Sequence, residues 1–277
     1  MKKIRTCAGT HINSGSSACK IDWSKVKGAI LVEPGTKLPD DVTAEKLAEM
    51  CHADRPGRIY PISPFFEYAK NGGEAQISAV GYGPNQFNGL NAQTDTFTLA
   101  GFDEVLNAQL LKAANREWDV YFWNKDYMLI GYNDGTDLLA GIPMSTVYPT
   151  VTQYPASGAK STMTISFCHM DIEDSLLNFD FIQLGFDPKY SLRGLIGVEL
   201  VSMNSNKYKI IEKIGAYDLT PEFGQLIADK AAEVLDNATT ATYADGVLTI
   251  TPKDSGTPSL KAPSILFENN IKYIEQV

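Results

Sequence analysis

The chain has 277 residues, 44% hydrophobic and 21% charged, which is enough apolar material for a substantial core and too much for a disordered chain. Lys and Arg number 24 against 33 Asp and Glu, and a net charge of −9 argues against a protein that grips a nucleic-acid backbone with a basic surface. Four scattered cysteines are too few for a disulfide framework, so synthesis in a reducing cytoplasm is expected. Lys2, Lys3 and Arg5 are followed by small polar residues rather than an apolar stretch, and no run of about 18 apolar residues occurs anywhere. Neither a cleaved secretion signal nor a transmembrane helix is expected.

Residues 1–25 read as an N-terminal arm, because their first 20 have no hydrophobic period. A buried strand is predicted at 26–33 (VKGAILVE), then a helix at 44–52 with Leu47, Met50 and Cys51 on its apolar face. Residues 58–70 carry Pro61 and Pro64 and end in a short aromatic helical turn that Asn71-Gly72-Gly73 stops. Strands are predicted at 74–80 and 94–99. Their connection, 81–93, is polar and uncharged and longer than a hairpin needs, which marks it as functional or ordered by a partner.

A helix is expected at 102–115, then a meander over 119–143 (DVYFWNKDYMLIGYNDGTDLLAGIP), its aromatic and β-branched runs separated by Asn-Lys-Asp and Asn-Asp-Gly. Residues 149–160 form a Thr/Pro/Ser/Gly-rich linker. Further strands are expected at 161–168, 178–186, 194–203 and 207–214, the last two joined by Asn204-Ser205-Asn206. A helix over 219–238 opens with Thr220 as N-cap and Pro221 at the first position. Two hairpins close the chain, one turning at Asp245-Gly246 and one at Asn269-Asn270. The expected class is α+β and strand-dominated: an antiparallel β-sandwich or barrel-like core with flanking helices. Its expected division is an arm at 1–25, a β-rich core at 26–216, and a helix-plus-hairpins portion at 217–277.

Residues that could carry chemistry are sparse. Zinc sites need a short clip of two thiolate or imidazole ligands; Cys51-His52, Cys168-His169 and the group Cys7, His11, Cys19 supply none. Adjacent strand residues such as Cys168 and His169 point to opposite faces. Three histidines and no G-x-S-x-G elbow leave no nucleophile triad, and Ser14-Gly15-Ser16-Ser17 reads as a flexible tail. Asp171, Glu173 and Asp174 crowd a short connection, with Asp180 further on; as a glycosidase pair they lack a demonstrable separation, an acidic turn is the simpler account, and an unrecognised hydrolase would depend on Asp171, Glu173 or His169. Asn133-Asp134-Gly135-Thr136-Asp137 lacks the distal Glu of a calcium loop and reads as a turn. Gly81-Tyr82-Gly83-Pro84 begins like a phosphate cradle but proline follows and no helix starts there. No cofactor or metal is therefore expected. Tyr121, Trp123, Tyr127 and Tyr132 could stack on a sugar, although strand alternation assigns much of this set to the core.

In architecture, an arm, paired strands with a long intervening loop (74–99), a helix (102–115) and the DVYFW meander together resemble the tail tube proteins of tailed bacteriophages. The resemblance spans about 26–214, and GVLTITPKDSG with the Asn-rich turns resembles phage virion proteins in composition. It implies a β-sandwich flanked by a helix, rings of identical copies stacked around a lumen through which DNA passes without sticking, other virion proteins as neighbours, and residence in the virion after synthesis in the host cytoplasm. On that reading Gly81-Tyr82-Gly83-Pro84-Asn85-Gln86-Phe87-Asn88-Gly89-Leu90-Asn91 meets another subunit. The additional 219–277 portion departs from simple tube proteins and leaves tube, head–tail connector and capsid-associated roles open. A non-catalytic carbohydrate-binding or cell-surface module is the alternative.

Overall fold

The computed structural model describes residues 21–150, 157–158 and 160–277. Cys7, His11, Cys19, most of the expected arm and most of the 149–160 linker lie outside them. In chain order the elements begin β1 (Val26–Val32), α1 (Ala44–His52), β2 (Ile59–Ile62), β3 (Glu67–Gly72), β4 (Ala75–Ala79), β5 (Asn85–Leu90) and β6 (Gln93–Ala100). There follow α2 (Glu104–Lys112), β7 (Trp118–Asn124), β8 (Met128–Tyr132), β9 (Ile142–Pro149), β10 (Thr162–His169), α3 (Ile172–Asn178) and β11 (Phe179–Gln183). The remainder is β12 (Ile196–Asn204), β13 (Lys207–Glu212), α4 (Thr220–Asp229), α5 (Ala231–Val234), β14 (Leu235–Asp236), β15 (Ala238–Ala244), β16 (Val247–Pro252), β17 (Ser259–Leu260), α6 (Pro263–Glu268) and β18 (Ile274–Gln276). The protein is strand-dominated α+β with antiparallel sheets, and β12 and β18 pair parallel. The described residues up to Ala44 together with Tyr60–Tyr190 form one compact unit; Glu45–Ile59 with Ser191–Val277 form the other.

The first unit is built on a nine-stranded sheet whose main path runs β11-β8-β7-β9-β10-β6-β3, with β1 on β7 and β2 on β1. β7 organises it. Its VYFW run is rich in the residue types that fit a pleated buried surface, and it is buried along nearly its whole length. One edge pairs with β1 from Val32↔Asp119 to Val26↔Asn124. The other edge is shared: Trp118–Val120 pair with β9, and Phe122–Trp123 pair with β8. The expected meander is thereby corrected. A buried strand must pair its whole edge, and five-residue β8 covers only one half. After the Asp134 turn the chain returns to cover the other half and continues to β10.

Phe65, Phe97, Phe122 and Phe167 interlock at the centre of this core, with Phe65 and Phe97 stacked at 4.6 Å and Phe122 edge-on to Phe167 at 5.3 Å. α2 is capped by Asp103, whose carboxylate accepts the Leu106 N–H at 2.9 Å, and it buries Leu110. Two further expectations change. The aromatic turn after Pro64 is a strand, because Tyr68 pairs with Phe97 and Lys70 with Asp95 along β6. The connection at 81–93 is half strand: β4 pairs with β5, not with β6, and only Val80–Pro84 turns.

In the second unit, a five-stranded sheet runs β15-β16-β13-β12-β18. The Asn204-Ser205-Asn206 and Asp245-Gly246 turns join the strand pairs expected of them. Phe223 and Ile227 of α4 share a core with Val198, Ile210, Leu248 and Ile250. Thr220 is not an N-cap: it is fully buried, and its hydroxyl accepts the Ile210 N–H at 2.9 Å, fastening the helix start to β13. The helix expected to run to 238 breaks at Lys230, and β14 begins at Leu235.

The expected hairpin at 265–274 is a helix followed by a strand. Pro263 starts α6, Asn270 adopts φ +64°, and the Ile271 N–H returns to the Leu266 carbonyl at 2.8 Å. Asn269-Asn270 is thus a helix stop of the Schellman kind rather than a turn between strands, and β18 pairs parallel to β12.

His52 ends α1 inside this unit. The Tyr273 N–H donates to its Nε2 at 2.8 Å, which obliges Nδ1 to carry the proton and donate to the Ala48 carbonyl at 2.6 Å. Burial against Phe267 and Tyr273 lowers its pKa. The unfolded chain therefore takes up a proton that the folded unit resists. Stability should be level above about pH 6.5 and fall below it, by at most about 1.4 kcal/mol per pH unit. Urea unfolding at pH 7.5 and 5.5 checks this: the loss should shrink in a His52→Gln variant, and an unchanged pH slope would refute it.

Candidate functional site

The β4–β5 hairpin is the most exposed ordered part of the first unit. Ile77 and Phe87 are direct cross-strand partners and are 61% and 59% exposed. Val80 and Tyr82 are open at the turn. No charged side chain occurs from Ala75 to Thr94. Gly72 and Gly73, at φ +81° and +77°, turn the chain out of β3 into the hairpin; a Cβ on Gly72 would meet the Ala92 carbonyl oxygen. The opposite face is an amide and hydroxyl layer, in which Gln76 donates to Asn91 and Asn88 donates to Ser78. Each residue from Gly81 to Asn91 expected to meet a partner lies in this hairpin or its immediate root.

Below the hairpin root, three adjacent strands are joined by a polar cross-brace. Asp95 of β6 accepts hydrogen bonds from Tyr68 of β3 at 2.8 Å and from Gln93 at 2.9 Å, and its other oxygen meets His169 Nε2 of β10 at 2.7 Å. Asp95 and His169 are buried, and His169 Nδ1 has no hydrogen-bond partner. Burial and the neighbouring Asp95 carboxylate raise the Tyr68 pKa, so its hydroxyl stays a donor. The arrangement ties edge strand β3 to the sheet.

Tyr68, Gln93, Asp95 and His169 also line an open cleft of about 440 Å³. Its walls are Trp23, Phe66, Phe122, Leu176 and Phe179, and the exposed Lys25 and Glu67 lie on it as well. Trp23 stands edge-on to Phe179 at 5.0 Å. Sequence reading singled out only His169 of this set. A signal for Asp95 was present: it occupies the buried phase of an alternating strand whose next inward positions are Phe97 and Leu99.

The other candidates have structural roles. Asp171 caps α3 by accepting the Asp174 N–H at 3.1 Å, and Glu173 and Asp174 occupy the first helical turn, where a negative charge is favoured. The acidic turn expected there is this helix start. Asp134 accepts the Thr136 N–H and hydroxyl and pairs with Lys37, which holds its pKa down at about 2. Among the described residues no three His, Cys, Asp or Glu side chains gather as an ion would require. Burial pushes the Cys51 thiol up to about 12. Tyr121 and Trp123 are core residues rather than a sugar platform. No helix among the described residues is long and apolar enough to cross a membrane.

No family model matches the chain, and no curated protein matches it. Among solved structures it is similar to the tube-terminating cap of the anti-feeding prophage, at 9% identity and a TM-score of 0.28, over 63% of this chain and 100% of that one. A second similar chain belongs to the sheath–tube complex of an extracellular contractile injection system (PVC) in its extended state, at 9% identity and a TM-score of 0.27, over 60% of this chain and 93% of that one. At TM-scores below 0.5 neither likeness defines a shared fold or role.

Proposed function

We propose that this chain is a non-catalytic structural protein of a tailed-phage particle, assembling with copies of itself into a ring or tube of the tail. The β4–β5 hairpin carries the reading. A two-stranded ribbon is marginal alone in water, and natural proteins guard exposed edges with charge or cover. This one exposes Ile77, Val80, Tyr82 and Phe87 with no charge near them. Copies of a chain bearing −9 repel one another, so the surface where they can meet is the uncharged one.

The outer edge of β3, unpaired among the described residues, adds backbone groups that a neighbour can pair. The architectural resemblance to tail tube proteins supplies the particle, and the acidic balance suits a lumen from which DNA is repelled. The connector and capsid-associated positions belong to the same reading; the glycan-binding module is its competitor. Electron microscopy and sedimentation of the purified protein test it. Rings or short tubes are expected, and their loss when residues 81–91 are replaced by a short Gly-Ser turn. A dispersed monomer that binds glycans saturably would overturn it.

A further inference from the structure

β3 ends the path of the large sheet. It pairs with β6 along one side, its other side is unpaired among the described residues, and it is exposed from Glu67 to Asn71. An open edge of this kind takes up a further strand through its spare backbone groups unless charge or cover guards it. The two charges on β3, Glu67 and Lys70, have opposite signs, and Lys70 already stands opposite Asp95 of β6. Beside them Phe66 and Tyr68, 62% and 56% exposed, both line the cleft.

The same chain carries a strand of the kind that such an edge accepts. β4 and β5 pair only with each other among the described residues, and a ribbon of two strands is marginal alone in water. Of its two outer edges, that of β5 comes up against α3: a Cβ on Gly89 would sit 3.2 Å from a Glu173 carboxylate oxygen. β4 is exposed at all five residues and is the open one. The ribbon holds no charged side chain, so it meets no like-charge barrier at an edge whose own two charges cancel.

The side chains match as well as the backbones. Tyr68 faces Phe97 across β3 and β6, with ring centroids 5.3 Å apart, and Ile77 faces Phe87 across β4 and β5. Cross-strand partners share a face of their sheet. Joining a β4 edge to a β3 edge aligns these two apolar pairs as one row across four strands, Phe97, Tyr68, Ile77 and Phe87, and gives Phe66 an apolar neighbour. Building on the assembly reading above, we infer that the outer edge of β3 is the seat for β4 of a second copy, whose β4–β5 ribbon extends the large sheet by two strands. Donor and receptor strands differ, so the contact is heterologous: every copy gives one ribbon and receives one, and the contacts close into a ring or run on as a filament.

Complementation and hydrogen exchange test this together. Phe66→Asp puts a charge at the receptor and leaves the donor; Ile77→Asp does the reverse. Both side chains are more than half exposed, so both variants should fold, which circular dichroism verifies. Each alone should self-associate at least tenfold more weakly than the parent in sedimentation. An equimolar mixture should form a one-to-one pair, because one intact donor and one intact receptor remain. In the parent, the outward amides of β3 and β4 should exchange at least tenfold more slowly in the assembly than in the dilute monomer, which a contact through side chains alone would not produce. If the parent assembles with β3 exchanging as in the monomer, or Phe66→Asp assembles like the parent, β3 is not the seat and the assembly reading stands without it. A mixture that remains monomeric refutes the donor–receptor pairing. A parent that stays monomeric at every concentration refutes the strand addition and the assembly reading alike.

Discussion

Replacing Asp95 by alanine should destabilise the first unit by about 3–5 kcal/mol, a large fraction of an ordinary domain's margin. The carboxylate is the shared acceptor for Tyr68, Gln93 and His169, at 2.7 to 2.9 Å. Hydrogen bonds to a charged group contribute about 1.5–3 kcal/mol each and are not additive, while donors stranded in a buried site lose their solvation as well. Asp95→Asn separates shape from charge. Its side chain has one acceptor oxygen where the carboxylate has two, and its amide would face a donor, so about half the loss is expected. Chemical denaturation of the purified variants measures both. A loss below about 1 kcal/mol for alanine would show that the brace is not structural. Because the brace includes Tyr68 on β3, the alanine variant should also increase amide exchange along β3, ahead of global unfolding.

The second large effect lies at Gly28. A Cβ there would sit 2.2 Å from the Trp123 ring and 2.7 Å from the Ile62 carbonyl oxygen. Trp123 is 2% exposed and is among the largest fully buried side chains, so the ring has nowhere to retreat. Gly28→Val should cost about 3 kcal/mol or more, at or beyond the upper end for overpacking, because one of the clashing atoms is backbone. Trp123→Leu should itself cost several kcal/mol by leaving a cavity. The two changes should couple with opposite sign: in the double variant the valine occupies space the indole has vacated, and the combined loss should fall short of the sum. Strict additivity would show that Gly28 is not shaped by Trp123.

What the sequence made legible were the elements whose local chemistry and tertiary use agree. Residues 44–52 form the expected helix, and Asp245-Gly246 turns between strands as its φ preferences dictate. The aromatic run at 120–123 is the buried centre of a sheet. Two readings failed for a common reason, that a short motif serves two geometries. FFEYAK matches period 2 as well as 3.6, and pairing with β6 decides it. Asn269-Asn270 supplies a positive φ, which a helix stop uses as readily as a hairpin. The polar stretch at 81–93 lacked the β-branched residues that announce a strand, yet β5 forms there opposite β4.

The candidate site was the least visible part. Trp23, Tyr68, Asp95, His169 and Leu176 are brought together by sheet order and curvature, and no spacing along the chain encodes that. His169 was singled out only beside an acidic cluster, and Asp95's place in an apolar alternation was the other hint.

The amide layer on the hairpin's other face has a consequence for how fast copies can join. Gln76 with Asn91, and Asn88 with Ser78, clip the ribbon together before any partner arrives. A loop that folds only on contact loses conformational entropy at the moment of binding, and both its affinity and its productive encounters suffer. Here that ordering is completed within the free subunit. In the proposed assembly the hairpin would meet its neighbour as a preorganised ligand, and growth would be limited by collision and orientation rather than by folding of the joint.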